Sequence, residues 1–310
     1  MSRRAVLLFL SLGVAWGIPY LLIKVAVGEL TPSQLVLART ALAAVMLMPL
    51  ALARGAVRPV LRRWRPVVAF TVVEIAVPWV TLGAAEQALP SSTTGLLISA
   101  VPVVGVLLAF VTGHRERLAL SAWFGLALGA AGVAALVGLD VAGSDIGAVG
   151  LLAVTVVGYA MGPAILSRFL SDLQGVGVMA VSLTLAAAVY VPVVLIDTGV
   201  PSRMASTDVM GSVVVLSAVC TAAAFLLLFA LIGEVGPVRA TTITYVNPAV
   251  AVVAGALFLD ESVTVWTIVG FALVVFGSYL VNRRGRASAE GTRPPVANRD
   301  EPVEDHLAAC

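Results

Sequence analysis

The sequence predicts an all-α integral membrane protein of ten transmembrane helices in two inverted five-helix repeats. Three observations predict it: too little charge to coat a soluble globule, ten apolar runs of spanning length, and a likeness between the two halves of the chain. Of 310 residues, 60% are hydrophobic and 12% charged, against about 25% charged in a soluble domain. Nineteen basic and 17 acidic side chains suit a surface that faces lipid. The net charge of +2 gives no ground for a nucleic-acid partner. Cys220 and Cys310 suggest neither a disulfide framework nor a metal cluster. The first apolar run has no convincing small-residue cleavage site after it and reads as a retained helix.

A spanning helix needs ~20 mostly apolar residues. Such runs fall near 5–27, 34–53, 67–86, 91–112, 119–139, 147–168, 175–196, 210–233, 238–259 and 264–282. Charges and turn residues punctuate them, as in ARGAVRPVLRRWRP, TGHRER and DTGVPSRMASTD. The segment 283–310 is charged, proline-bearing and aperiodic, and is expected to be a disordered cytoplasmic tail. With the N-terminus in the cytoplasm, 16 of the 19 basic residues fall on the cytoplasmic side and only Arg203 on the other. Basic residues favour cytoplasmic loops, so both termini are expected there, in a multi-pass cell (inner) membrane protein.

A shift of 145 lays Glu116, Gly125 and Gly132 on Glu261, Gly270 and Gly277; a shift of 143 lays Trp16 and Pro49 on Tyr159 and Pro192. The repeats are expected at 5–139 and 147–282. Five spans per copy is an odd number, so the second copy starts on the opposite side of the membrane. That is a common plan for secondary transporters, whose halves rock about a midplane site; an inverted repeat also builds channels.

The segments AWGIPYLLIK (15–24), TPSQLVLARTALA (31–43), TTGLLISAVPVVGVLLAF (93–110) with Glu116 after it, and TTITYVNPAVAVVAGALFLDE (241–261), in that order and spacing, resemble the EamA-type drug/metabolite transporter superfamily. The resemblance covers about residues 5–282. It implies an inner-membrane carrier, commonly an exporter of amino acids, other metabolites or toxic compounds. It fixes no substrate.

Gly13 and Gly17, Gly125 and Gly129, and Gly158 and Gly162 are small-xxx-small pairs, which let helix backbones approach closely in lipid. They serve internal contacts or a homodimer equally well. Pro102 and Pro248 are each expected to remove an intrahelical hydrogen bond, which makes the fourth and ninth spans the candidates for lining a cavity.

Charges within spans are costly, by about 2.5–3.5 kcal/mol for an Arg, Lys or Asp at a helix centre on insertion scales, and usually turn inward. Glu74 lies mid-span, with Thr71, Pro78 and Thr81 on its stripe. It is a candidate to load and release a proton or to accept an ammonium group; the alternative is an ion pair with Arg39 or Lys24. Arg39 is a candidate to hold a substrate carboxylate, or else pairs with Glu74 or snorkels to the headgroups. The resemblance agrees with an arginine there. Lys24, near the end of its span, is expected to snorkel. Trp16, Tyr20 and Trp79 are candidates to flank a cationic or planar substrate, with an interfacial belt as the alternative for the aromatics. Asn247 and Tyr245 are candidate polar ligands, although buried hydroxyls also bond their own backbone. Glu116 and Glu261 are expected to cap helix amides or to pair with arginines.

No phosphate loop, HExxH or GxSxG is present, and no cofactor or metal is expected. The sequence thus favours a secondary transporter over an enzyme. It is expected to move a small molecule outward by proton-coupled alternating access. An uncoupled channel, or a membrane sensor or assembly subunit working through the polar tail, are the other readings.

Overall fold

The computed structural model describes residues 2–111, 120–135, 146–197, 204–235, 243 and 246–290, and contains no strand among them. The main helices are α1 (Arg3–Ala26), α2 (Pro32–Ala53), α3 (Trp64–Ala88), α4 (Ser91–Leu108), α5 (Leu120–Ala135), α6 (Ile146–Phe169), α7 (Gly175–Asp197), α8 (Thr207–Val235), α9 (Asn247–Phe258) and α10 (Val265–Glu290). Seven of them, α1–α4 and α6–α8, are long and apolar enough to cross a membrane. At the other three expected spans the apolar helical stretches are shorter among the described residues: Trp123–Gly132, Asn247–Phe258 and Val265–Gly277. α10 continues past the expected boundary at 282 to Glu290, through a run rich in arginine and alanine, both good helix formers.

Local chemistry sets several helix starts. Thr31 and Gln34 form a reciprocal capping box at α2, which satisfies two amide groups that a helix start leaves unpaired. Ser2 and Ser206 accept from Ala5 and Val209 at the starts of α1 and α8. Pro248 stands in the first turn of α9. Pro102 is the second residue of Val101–Val111, the piece that resumes α4 after a break at Ser99 and Ala100. The expectation that these prolines remove an intrahelical bond is therefore corrected. In a first turn the proline nitrogen has no intrahelical partner to lose.

Side-chain bonds sort the connections onto two ends of the bundle. At one end the Ser2 hydroxyl donates to Glu234 in the last turn of α8 (2.6 Å), and Arg63 before α3 forks onto Asp172 between α6 and α7 (2.6 and 2.8 Å). At the other, the Ser206 amide donates to Glu29 (2.8 Å), which joins the α1–α2 and α7–α8 turns. Lys24 reaches the end of α3, and Glu261 reaches the start of α4. α6 runs antiparallel to α3: Thr155, Gly158 and Gly162 meet Thr81, Pro78 and Glu74 in that order.

The glycine pairs mark the tightest of these crossings. A methyl group on Gly13 would stand 2.9 Å from Val246, and one on Gly17 would meet Val250, so this pair seats α1 on α9. Gly158 and Gly162 seat α6 on α3. Between α5 and α10 the contact is reciprocal. A methyl on Gly132 would lie 2.8 Å from the Gly270 carbonyl, and one on Gly277 would lie 2.6 Å from the Gly125 carbonyl. All three pairs thus serve contacts inside the chain.

Among the described residues two π turns interrupt the α-helical pattern, Thr71–Ala76 in α3 and Ala218–Ala223 in α8. The first has a cause in the sequence. Pro78 offers no amide proton, and its ring would collide with the carbonyl four residues back, that of Glu74. Widening the turn by one residue relieves both, and the Val77 amide donates to Val72, five residues back. The Ala76 carbonyl accepts from the Tyr190 hydroxyl of α7 at 2.9 Å. In α8 the Thr221 hydroxyl donates to the Leu216 carbonyl, also five back, at 2.8 Å.

Candidate functional site

Arg39 is the centre of the site. It lies mid-bundle on α2 and is 7% exposed. Its guanidinium lies over the Trp79 ring of α3, 3.8 Å from the ring centre, a geometry in which the electron-rich ring face attracts the cation. Its Nε donates to the Thr221 hydroxyl of α8 at 3.0 Å. Thr221 can take this bond because its own proton goes to Leu216. No carboxylate lies within ion-pair distance of Arg39 among the described residues. The alternatives of a pair with Glu74 and of snorkelling are both corrected. The stack on Trp79 and the bond to Thr221 hold the cation inside.

Around it, Tyr20 of α1 and Tyr159 of α6 are within electrostatic reach of Arg39, as are Cys220 and Glu86. The indole N–H of Trp79 faces the Tyr159 hydroxyl. Tyr20 lays its ring on Gly95, where a methyl group would stand 3.2 Å from the ring edge. The same methyl would lie 2.6 Å from Ala251, so the expected cavity-lining α4 and α9 pack on each other at this level.

Glu74 sits in the π turn of α3, with its carboxyl pressed against Gly162 of α6. Its Oε2 is buried without a hydrogen-bond partner, and no basic group lies within ion-pair distance among the described residues. The ion pair with Arg39 or Lys24 is corrected. The acid is turned into the α3–α6 contact, and its charge reaches Tyr159. Asn247 opens α9 with a buried, unpartnered Oδ1. Trp16 meets Phe225 of α8 edge-on, with ring centres 5.9 Å apart. Tyr245 and Glu116 lie outside the described residues.

Lys24 does not snorkel. Its ammonium donates to the carbonyls of Glu86 (2.6 Å) and Leu89 (2.8 Å), closing the C-terminus of α3. Cations are favoured at that end of a helix, where carbonyls lack partners.

Glu261 does cap amides, though not those of the helix that follows it. It accepts from Ser91 (2.7 Å) and Ser92 (2.9 Å) at the start of α4. Asp260, in the left-handed region at φ 52°, turns the chain to aim it. A lone aspartate adopts that region at modest cost. Burial pushes the Glu261 carboxyl up, but the bonds from Ser92 and Ser91 outweigh it, and the group is held below its ordinary 4.5. Its stabilising charge is therefore fully present above pH 4.5 and lost as pH falls through the lower folded value. Glu261→Gln is expected to lower the melting temperature in detergent at pH 7. The gap to wild type should close as the pH drops below 4.5. A constant gap would mean that the charge does not matter. At the same end of the bundle, bonds from the Ser206 hydroxyl and amide hold the exposed Glu29 carboxyl down.

Sequence reasoning missed Thr221, Tyr159 and Glu86 as members of the site. Thr221 stands 182 positions from Arg39, and nothing in AVCTAA announces a π turn. Tyr159 was visible only as the repeat partner of Trp16. Glu86, at the end of its span, carried no mid-span signal.

Comparison with known proteins bears on what this site serves. The model of the EamA-like transporter family matches the chain twice, over residues 3–138 and 146–283. The chain belongs to the EamA-like transporter family. Within the curated proteins it is similar to the uncharacterized inner membrane transporter YedA of Escherichia coli strain K12. The two are 26% identical over 279 residues, covering 87% of this chain and 88% of that protein. It is also similar to the uncharacterized transporter YvbV of Bacillus subtilis strain 168, at 23% identity, covering 92% of this chain and 94% of that one. A solved crystal structure shares the fold at a TM-score of 0.66 and 21% identity, covering 93% of this chain and 99% of that chain. As an EamA-family member with seven apolar helices of spanning length, the chain is a multi-pass membrane protein.

Proposed function

We propose that the chain is a secondary active transporter of the inner membrane that moves a small anionic or zwitterionic solute, outward, in exchange for protons. The observation that carries this reading is Arg39. A buried guanidinium with no carboxylate partner among the described residues is costly to keep. The fork of its terminal nitrogens, held flat by Trp79, suits a substrate carboxylate. Tyr20 and Tyr159 stand beside it; Asn247 and Tyr245 remain candidates on α9 and just before it, and Trp16 borders the site from α1.

In this reading the chain crosses the membrane ten times, in two inverted copies with both termini in the cytoplasm. The sorting of the connections onto two ends supports the alternation. The reciprocal α5–α10 glycine contact supports a two-fold relation, since each partner touches the other's equivalent. Two π turns at corresponding places in α3 and α8 agree with it. Glu74 is the proton carrier: it takes a proton from outside, moves with the rocking halves and releases it inside.

The test is reconstitution. Solutes that differ between cells with and without the protein, inside and in the medium, supply the substrate for proteoliposomes. Wild type should then show counterflow and proton-driven uptake. In Glu74→Gln, exchange should continue without dependence on the proton gradient. An unchanged rate and pH dependence in that variant removes Glu74 as the coupling residue, and absent counterflow means a channel.

A further inference from the structure

We propose that Glu86 is a second proton-carrying group, gated by Lys24 at the end of α3. Glu86 is 0% exposed, and neither carboxyl oxygen has a hydrogen-bond partner. Across the turn that follows, Thr94 of α4 is equally buried, and its hydroxyl is also unpartnered. Lys24 makes no ion pair with the acid: its ammonium bonds the backbone carbonyls of Glu86 and Leu89 instead.

This arrangement makes sense for a neutral acid. An ionised carboxylate with both oxygens unsatisfied in a sealed interior carries the full penalty of an unpaired buried ion. With an ammonium so close, it would draw one of the three Lys24 donors to itself. A protonated carboxyl leaves Lys24 free to close the helix end. When the end of α3 opens, water reaches the acid. The O–H bond breaks, the proton passes to water and the electron pair stays on the carboxylate. The Lys24 side chain then moves from the carbonyls to the new charge. Taking up a proton reverses both steps and reseals the end.

The ionisable groups that act on Glu86 are Lys24 and Tyr20 of α1, Arg39 of α2, Tyr159 of α6 and Glu261 between α9 and α10. A metal cation fits this place poorly. Two nearby carbonyls are taken by Lys24, and its charge repels a second cation. No group of three or more acidic, histidine or cysteine side chains suited to a metal exists among the described residues.

The inference rests on the transporter reading for its purpose, but its test does not require transport. Full-length protein in lipid is followed by infrared difference spectroscopy as pH is stepped, reading the C=O band of protonated carboxyls. Wild type should show two buried, pH-dependent bands. Glu86→Gln should remove one and Glu74→Gln the other. Lys24→Gln keeps a donor for the carbonyls but drops the charge. It should move the pH midpoint of the Glu86 band by about one pH unit or more and leave the Glu74 band in place. An Glu86→Gln spectrum identical to wild type overturns the proposal. So does a Lys24→Gln spectrum with both midpoints unmoved, which serves as the test should the first variant fail to fold. A band that responds to sodium in place of choline at fixed pH makes Glu86 a metal-cation site and equally overturns it. Loss of the Glu86 band with transport untouched by Glu74→Gln would sink the Glu74 assignment alone.

Discussion

Replacing Arg39 by methionine is expected to abolish transport while leaving the protein as stable as wild type, or more so. The two effects separate because the side chain is costly to bury and its cost is not offset by an ion pair. Methionine fills a similar volume without charge, and exchanging buried ions for apolar groups is often neutral or stabilising. The substrate side runs the other way. Losing a two-point, charge-assisted grip on a carboxylate costs about 2–4 kcal/mol, or ~30- to 1,000-fold in affinity. Arg39→Lys should fall between the two. It keeps the charge but loses the flat stack 3.8 Å above Trp79 and the Nε bond to Thr221. Thermal melting and substrate uptake, measured on the same preparations, check this. A methionine variant that melts several degrees lower and still transports would make Arg39 a structural strut.

The second large effect is expected at the α3–α6 crossing. In Gly162→Ala the new methyl lands on the Glu74 carboxyl, and in Gly158→Ala it stands 2.5 Å from both the Pro78 ring and the Val73 carbonyl. Each is an overpacking change costing about 1–3 kcal/mol. The two differ in what relieves them. At Gly158 one obstacle is backbone, so only the whole helix can give way. At Gly162 the three nearest atoms all belong to the Glu74 side chain. Gly162→Ala combined with Glu74→Gly should therefore be less damaging than the sum of the two, by on the order of 1 kcal/mol, as contacting residues couple. Additive melting shifts would show that the acid does not rest on Gly162. Alanine at 162 should also disturb proton coupling without touching a charged residue, because it displaces the proposed carrier.

These two sites differ in how far the sequence announced them. The glycine pairs were legible because a spacing of four puts small residues on one face of any helix, and all three pairs mark crossings. The buried charges were legible as anomalies: Arg39 and Glu74 stand out in apolar runs whatever the fold. Their partners were not. Mid-span acid and mid-span base suggest each other by charge alone, yet Arg39 faces an aromatic ring and a hydroxyl, and Glu74 faces a glycine. Pairing across helices depends on rotation about the helix axis. A one-residue widening at Thr71–Ala76 shifts that rotation for everything after it. Glu74, Pro78 and Thr81 do share one face as their spacing suggests, but that face meets Gly162, Gly158 and Thr155 of α6 and not a basic group. Lys24 was misjudged for a related reason: its distance along its own helix said nothing of the open carbonyls at the end of α3.

The extra residue in α3 acts as a mechanical offset. A regular helix advances each side chain by about 100°, so the wide turn sets the angular phase between the segment ahead of Glu74 and the segment that carries Pro78 and Trp79. Deleting one residue between 71 and 76 would re-time the two like a gear slipped by a tooth. Trp79 would swing out from beneath the guanidinium although no residue of the binding site had been changed.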